Sequence, residues 1–110
     1  MAAYSHMDEV FRALADPSRR LLLDSLNERN GQSLRELSAR LSMTRQSVSK
    51  HLAVLEAAEL ISTRRRGRDK LHFLDAGPIR AIADGWIKRY ERAPATSHPW
   101  AGWHDASSQP

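Results

Sequence analysis

Between Ser33 and Phe73 the apolar residues change their spacing, and no other feature of the chain restricts its fold as tightly. Ser33-Leu34-Arg35-Glu36 is a capping-box pattern, in which the Ser hydroxyl and the Glu carboxylate each satisfy a backbone amide at the start of a helix; Leu34, Leu37 and Leu41 follow at helical spacing. Only about nine residues fit before a tight turn over Leu41–Thr44. Thr44 suits the N-cap of a second helix reaching to about Ala58. Val48, Leu52 and Leu55 recur on its inner face, and Arg45, Gln46, Ser49 and Lys50 line the outer one. After Leu60 the period falls from about 3.6 to 2. Ile61 and Thr63 alternate with polar neighbours, Arg66-Gly67-Arg68-Asp69 supplies turn chemistry, and Leu71 and Phe73 alternate again. That pattern predicts a short β-hairpin with a strongly basic tip.

Helical signals flank this segment. Met7, Val10, Phe11 and Leu14 form one apolar stripe, which stops at Asp16-Pro17, where Asp can cap the next helix and Pro suits its first position. Leu22, Leu23 and Leu26 continue in a second helix, and Asn30-Gly31 offers the left-handed backbone that ends many helices. From Gly77-Pro78 a fifth helix is expected to carry Ile79, Ile82, Ala83, Trp86, Ile87 and Tyr90 as one continuous stripe. Beyond Pro94 the chain is small, polar and punctuated by Pro and Gly. The expected organisation is a single, mainly α domain over residues 1–93, with about five helices and a two-stranded hairpin, followed by a flexible tail over 94–110.

Composition narrows the chemistry. The chain has no cysteine, so disulfides, thiolate metal sites and thiol catalysis are excluded together. No apolar run approaches the ~18 residues that span a bilayer, and no membrane partner is expected. The first residues show neither a basic nor an apolar signal region, so the expected location is the cytoplasm. Acidic pairs such as Asp8-Glu9 are adjacent and diverge on a helix, and no Gly-rich phosphate loop or Ser-His-Asp arrangement is present; no enzyme activity and no cofactor are expected.

Charge is more informative. The net charge is +4 and the pI about 10.1. Residues 35–70 hold nine of the 17 Lys and Arg residues against four of the 13 acidic ones, so the rest of the chain is slightly negative. The positive excess lies on the two central helices and the hairpin, as a site for a polyanion requires.

A short capped helix, a tight turn and a second helix with an apolar inner and polar outer face make a helix-turn-helix, and the hairpin that follows takes the place of a wing. Residues 34–66 (LRELSARLSMTRQSVSKHLAVLEAAELISTRRR), preceded by residues 10–20 (VFRALADPSRR), closely resemble the ArsR family of bacterial winged-helix transcriptional repressors. The resemblance extends over about residues 8–91. Two motifs carry it: Ala-Leu-Ala-Asp-Pro-Ser-Arg-Arg entering the second helix, and Val-Ser-Lys-His-Leu-x-Val-Leu-x-x-Ala-x-Leu-Ile running from position 48 to 61.

The resemblance implies a homodimer joined through the first and last helices, with Val10, Phe11, Leu14, Ile79, Ile82, Ala83, Trp86, Ile87 and Tyr90 as candidate interface residues. It also implies a double-stranded operator with an inverted repeat. A two-fold dimer sets its two reading helices about one DNA turn apart, so symmetry alone predicts a palindromic site. Thr44, Arg45, Gln46, Ser47 and Ser49 are the candidates for base readout, since Gln pairs with adenine and Arg with guanine. Lys50 and His51 are expected at phosphates or at the groove edge, with a scaffold role also open for His51. In the wing, Arg64, Arg65, Arg66, Arg68 and Lys70 cannot share one face; Arg66 and Arg68, flanking the turn, should reach furthest.

Metal sensing is a known activity of the family, but its cysteine site has no counterpart here. The positions matching its zinc site on the last helix are Asp75, Gly77, Lys88 and Glu91, which lack both imidazoles. No metal site is therefore expected. The alternative is a metal-responsive repressor using unusual His and carboxylate ligands, such as His98, His104 and Asp105 of the tail. A winged helix serving as a protein-interaction module is a further alternative. Control by a small molecule, by a partner protein or by abundance alone is left open.

Overall fold

The computed structural model describes residues 2–91 together with His98, Trp100 and Gly102. Five α-helices and one antiparallel hairpin follow in the order α1 (Ala2–Leu14), α2 (Pro17–Glu28), α3 (Leu34–Leu41), α4 (Arg45–Ala57), β1 (Ile61–Arg66), β2 (Asp69–Leu74) and α5 (Gly77–Gly85). The core lies where α1, α2, α3 and α4 meet, around Val10, Leu22, Leu26, Leu37, Val48, Leu55 and Leu60, all essentially without solvent contact.

Local chemistry sets the helix boundaries. The Asp16 carboxylate accepts the backbone N–H groups of Ser18 (2.8 Å) and Arg19 (3.2 Å), with Pro17 in the first turn of α2. At α3 both halves of the capping box form: the Ser33 N–H donates to Glu36 Oε1 at 3.0 Å, and the Glu36 N–H donates to Ser33 Oγ at 3.2 Å. Thr44 Oγ1 accepts the Ser47 N–H at 3.1 Å and opens α4. Between them Ser42 closes α3 in the left-handed conformation (φ 53°, ψ 44°), which turns the chain sharply into α4.

The hairpin register pairs Ile61 with Leu74, Thr63 with His72, Arg65 with Lys70 and Arg66 with Asp69. Its two-residue loop is Gly67-Arg68. Gly67 has φ 62° and Arg68 does not share that sign, the pattern of a type II′ turn. The base of the hairpin is fastened to the loop between α2 and α3. The His72 N–H donates to the Gln32 carbonyl at 2.8 Å, the Gly31 N–H donates to the His72 carbonyl at 2.9 Å, and the Leu74 N–H donates to Asn30 Oδ1 at 2.8 Å. Gln32 also donates from Nε2 to the Ser25 and Arg29 carbonyls at the end of α2 (3.0 and 2.7 Å).

The last helix departs from expectation. α5 ends at Gly85, and the chain tightens into a 3₁₀ turn over Ile87–Tyr90 instead of continuing as one α-helix. Gly is the poorest helix former after Pro, costing about 1 kcal/mol relative to Ala, and here it sits where the stripe needs continuity. Trp86, Ile87 and Tyr90 stay close despite the break. Phe11 and Trp86 meet edge to face at 5.4 Å, and Trp86 and Tyr90 do the same at 5.4 Å. The expected tail from residue 94 lies outside the described residues except for His98, Trp100 and Gly102, so Trp103, His104 and Asp105 have no described position.

Candidate nucleic-acid interface

α4 presents three distinct strips to its surroundings. Gln46 and Lys50 stand one turn apart on the outermost strip, both exposed, followed along it by Ala53 and Ala57. Polar groups on this strip are therefore confined to the first two turns of the helix, the part that meets base edges in a helix-turn-helix. Arg45, Ser49 and Glu56 lie on the strip turned toward the hairpin, where they line a groove with a volume of about 510 Å³. Ser47 and His51 lie on the third strip, turned toward α1 and α2, and both are half-buried. Thr44 is exposed, with its hydroxyl oxygen engaged in the cap.

His51 sits apart from the other expected contacts. Its Nδ1 is 3.4 Å from an Arg19 guanidinium nitrogen, and because Arg can only donate, this ring nitrogen accepts. Arg19 is itself held in place: its Nε donates to the Ala13 carbonyl at 2.8 Å and a terminal nitrogen donates to the Arg12 carbonyl at 3.1 Å. Arg20 donates to the Leu14 carbonyl at 2.7 Å. The two arginines of the Asp-Pro-Ser-Arg-Arg motif thus cap the end of α1, where cations match the helix dipole, and Arg19 passes that anchorage to α4. Burial raises the Asp16 carboxyl pKa, but the backbone N–H groups of Arg19 and Ser18, with the nearby Arg19 charge, outweigh it and hold the group below the usual Asp range. At Glu36 the Ser33 amide and hydroxyl lower the pKa, reinforced by Arg29 and Arg35.

The hairpin supplies the second half of the site. Arg64, Arg65, Arg66, Arg68 and Lys70 are all exposed. The register puts Arg65 and Lys70 on the face that carries buried Ile61 and His72 at its base, and Arg64 and Arg66 on the opposite face. Arg65 and Lys70 stand directly across from each other, an unfavourable like-charge pair, and Lys70 Nζ lies 3.9 Å from Glu56 Oε2 on α4. Arg68 and Lys70 line the groove opposite Arg45, with Arg35 of α3 at its end and buried His72 at its base. His72 Nδ1 donates to the Gln32 carbonyl at 2.9 Å, which fixes the ring.

Sequence reasoning missed Arg19, Arg20, Arg35 and the Gln32–His72 pairing. The signal for the first two was present in the Arg-Arg that follows Asp16-Pro17-Ser18, five and six residues beyond the end of α1; nothing local marked the others. Among the described residues, no group of three His, Asp or Glu side chains is placed to hold a metal ion.

The expected interface residues divide by burial. Val10 and Ile82 are 1% and 4% exposed and belong to the core, so they shape the packing of α1 and α5 and have no surface to offer a partner. Phe11, Leu14, Ile79 and Ala83 are half-buried. Trp86, Ile87 and Tyr90 are 40%, 47% and 59% exposed, an unusual concentration of apolar surface at one end of a small domain.

The comparisons with known proteins agree with this geometry. A sequence profile of a helix-turn-helix domain family matches residues 14–64, from the end of α1 to the middle of β1. YuzN of Bacillus subtilis, an uncharacterized HTH-type transcriptional regulator, is 42% identical over 87 residues, 74% of this chain and 95% of YuzN. The transcriptional repressor SdpR of the same organism is 36% identical over 62 residues, 56% of this chain and 68% of SdpR. An ArsR-like transcriptional regulator from Rhodococcus sp. RHA1 superposes with a TM-score of 0.74 at 29% identity, covering 82% of this chain and 81% of that one. This chain belongs to the ArsR family. It is a DNA-binding transcriptional regulator with the winged helix-turn-helix fold: α3 and α4 are the helix-turn-helix of this ArsR-family regulator, and β1–β2 is its wing. No described helix is long and apolar enough to cross a membrane.

Proposed function

We propose that this ArsR-family regulator is a repressor that binds an inverted-repeat operator as a homodimer, reading bases with the first two turns of α4 and gripping the backbone with the wing. The observation that carries the reading is the outer strip of α4. Gln46 and Lys50 project there from a helix whose other faces are committed, flanked by Arg45 and Ser49, with Arg68 and Lys70 of the hairpin across the groove. Gln46 reads a base edge, Arg45, Ser47, Ser49 and Thr44 contribute beside it, and Lys50 meets a phosphate. Arg64, Arg65, Arg66, Arg68 and Lys70 address the backbone or the adjacent minor groove. His51, tied to Arg19, positions α4 from within. The working unit is residues 1–93, with 94–110 appended, and its place of action is the bacterial cytoplasm.

Repression follows from occupancy: a dimer covering two half-sites about one turn apart blocks the promoter they lie in. Selection of preferred sequences from a random DNA pool tests specificity, symmetry and spacing together. The expected result is a palindrome with half-sites about 10 base pairs apart. Enrichment of no sequence at low salt would overturn the reading. On the selected operator Gln46→Ala should cost about 1–3 kcal/mol while leaving binding to random duplex nearly unchanged; equal losses on both would rule out base readout by Gln46.

A further inference from the structure

The groove between α4 and the wing has an occupant that the geometry of duplex DNA dictates, given the binding mode proposed above. A helix in the major groove and a hairpin in the neighbouring minor groove are separated by one sugar-phosphate strand, which must pass between them. In this protein the opening of about 510 Å³ is bounded by α4 on one side, β2 on the other and the start of α3 at its end. Cations stand on all three: Arg45 on α4, Arg68 and Lys70 on the hairpin, and Arg35 on α3. Two carboxylates share the opening, Glu56 and Asp69. Asp69 stands opposite Arg66 in the strand register, and Glu56 reaches from α4 to within 3.9 Å of the Lys70 ammonium.

We propose that this groove seats the phosphodiester strand between the two DNA grooves, that Arg35 is a phosphate ligand within it, and that Glu56 restrains binding by occupying Lys70. Arg35 lies outside both the recognition helix and the wing. Arg35 is exposed and is the one cation that α3 contributes to the lining of this opening. Glu56 acts in the opposite sense. A carboxylate beside a phosphate strand repels it, and while Glu56 holds Lys70, that ammonium releases no counterion from DNA. The arrangement tempers sequence-independent affinity, which leaves a larger share of discrimination to Gln46.

The test is a salt titration of duplex binding by the full-length protein, read by fluorescence anisotropy on the selected operator and on random duplex. Arg35→Gln is expected to weaken both complexes alike and to make the slope of log K against log salt shallower by about one unit. Glu56→Gln is expected to tighten both and to steepen the slope by about one unit, a gain that Lys70→Gln cancels in the double variant. Both single variants change exposed side chains, and unchanged circular dichroism and melting verify the fold. An unchanged slope for Arg35→Gln removes the strand from the groove, and weaker binding by Glu56→Gln refutes the restraint. Micromolar binding of inorganic phosphate that is lost in Arg35→Gln, with no effect on the DNA slope, would make the groove a small-anion site instead and overturn the proposal. Gln46→Ala separates the two levels: if it still loses operator binding selectively while Arg35→Gln is silent, the groove inference fails and the base-reading function stands.

Discussion

Asp16 and Arg19 show how much of this fold hangs on single polar groups. Asp16 opens α2, and Arg19, one helical turn away, closes α1 and touches His51 on α4, so three helices meet through two side chains. The Asp16 and Glu36 carboxyls are both held below their usual ranges, so the folded state favours their ionised forms more than the unfolded chain does. The stabilisation they provide is fully present above the unfolded carboxylate pKa of about 4 and is lost as pH falls through their lowered folded values. Asp16→Ala should therefore lower the urea midpoint at pH 7, with the gap from wild type narrowing as the pH drops below about 4. Asp16→Asn, which can still accept the Ser18 and Arg19 amides, should recover most of the loss at pH 7. A gap that stays constant down to pH 2 would show that the charge on Asp16 contributes nothing.

At the scale of elements, the helix-turn-helix depends on the sharpness of one turn. Ser42 closes α3 at φ 53°, a conformation that costs an L-residue about 1–2 kcal/mol and glycine almost nothing. Ser42→Gly should stabilise the protein by about 0.5–1 kcal/mol after the added freedom of the unfolded chain is deducted, raising Tm by a few degrees with operator binding intact. A lower Tm would mean that the exposed Ser42 side chain has a bonding role of its own. This turn also marks the limit of what the sequence discloses. The caps at Asp16, Ser33 and Thr44 were legible because each bond spans two or three residues, and the hairpin was legible because its period and its Gly67 turn are local. The pairing of Gln32 with His72 spans 40 residues and Arg19 with His51 spans 32, so neither leaves a local pattern. The division of α4 into three strips, which sends Gln46 outward and His51 inward, becomes visible only once α1, α2 and the wing occupy their places. The end of α5 was misjudged because periodicity records which residues share a face and is silent on whether Gly85 lets the helix continue.

For the whole molecule the question is what covers Trp86, Ile87 and Tyr90. Trp86 and Tyr90 join half-buried Phe11 in an aromatic cluster just beyond the end of α5, and exposed Ile87 lies between them in the chain. A monomer gains nothing from leaving this surface in water, since each large side chain buried contributes about 1.5–3 kcal/mol. A second copy arriving on a two-fold axis would present the same cluster, and aromatic residues meeting across such an axis are a recurrent anchor of interfaces. Dimerisation then has a consequence at the DNA: two α4 helices joined rigidly bind two half-sites with one loss of translational freedom, so operator affinity greatly exceeds that of one subunit. Ile87 is 47% exposed and lies outside the buried core, so Ile87→Glu should leave the fold of each subunit unchanged while placing an unpaired charge in the contact. The expected outcome is a monomer by sedimentation velocity, with wild-type circular dichroism and an operator affinity reduced by at least 100-fold, on the order of the avidity lost. An intact dimer would place the interface elsewhere on the molecule. A monomer with undiminished operator affinity would show that one subunit suffices to read the site.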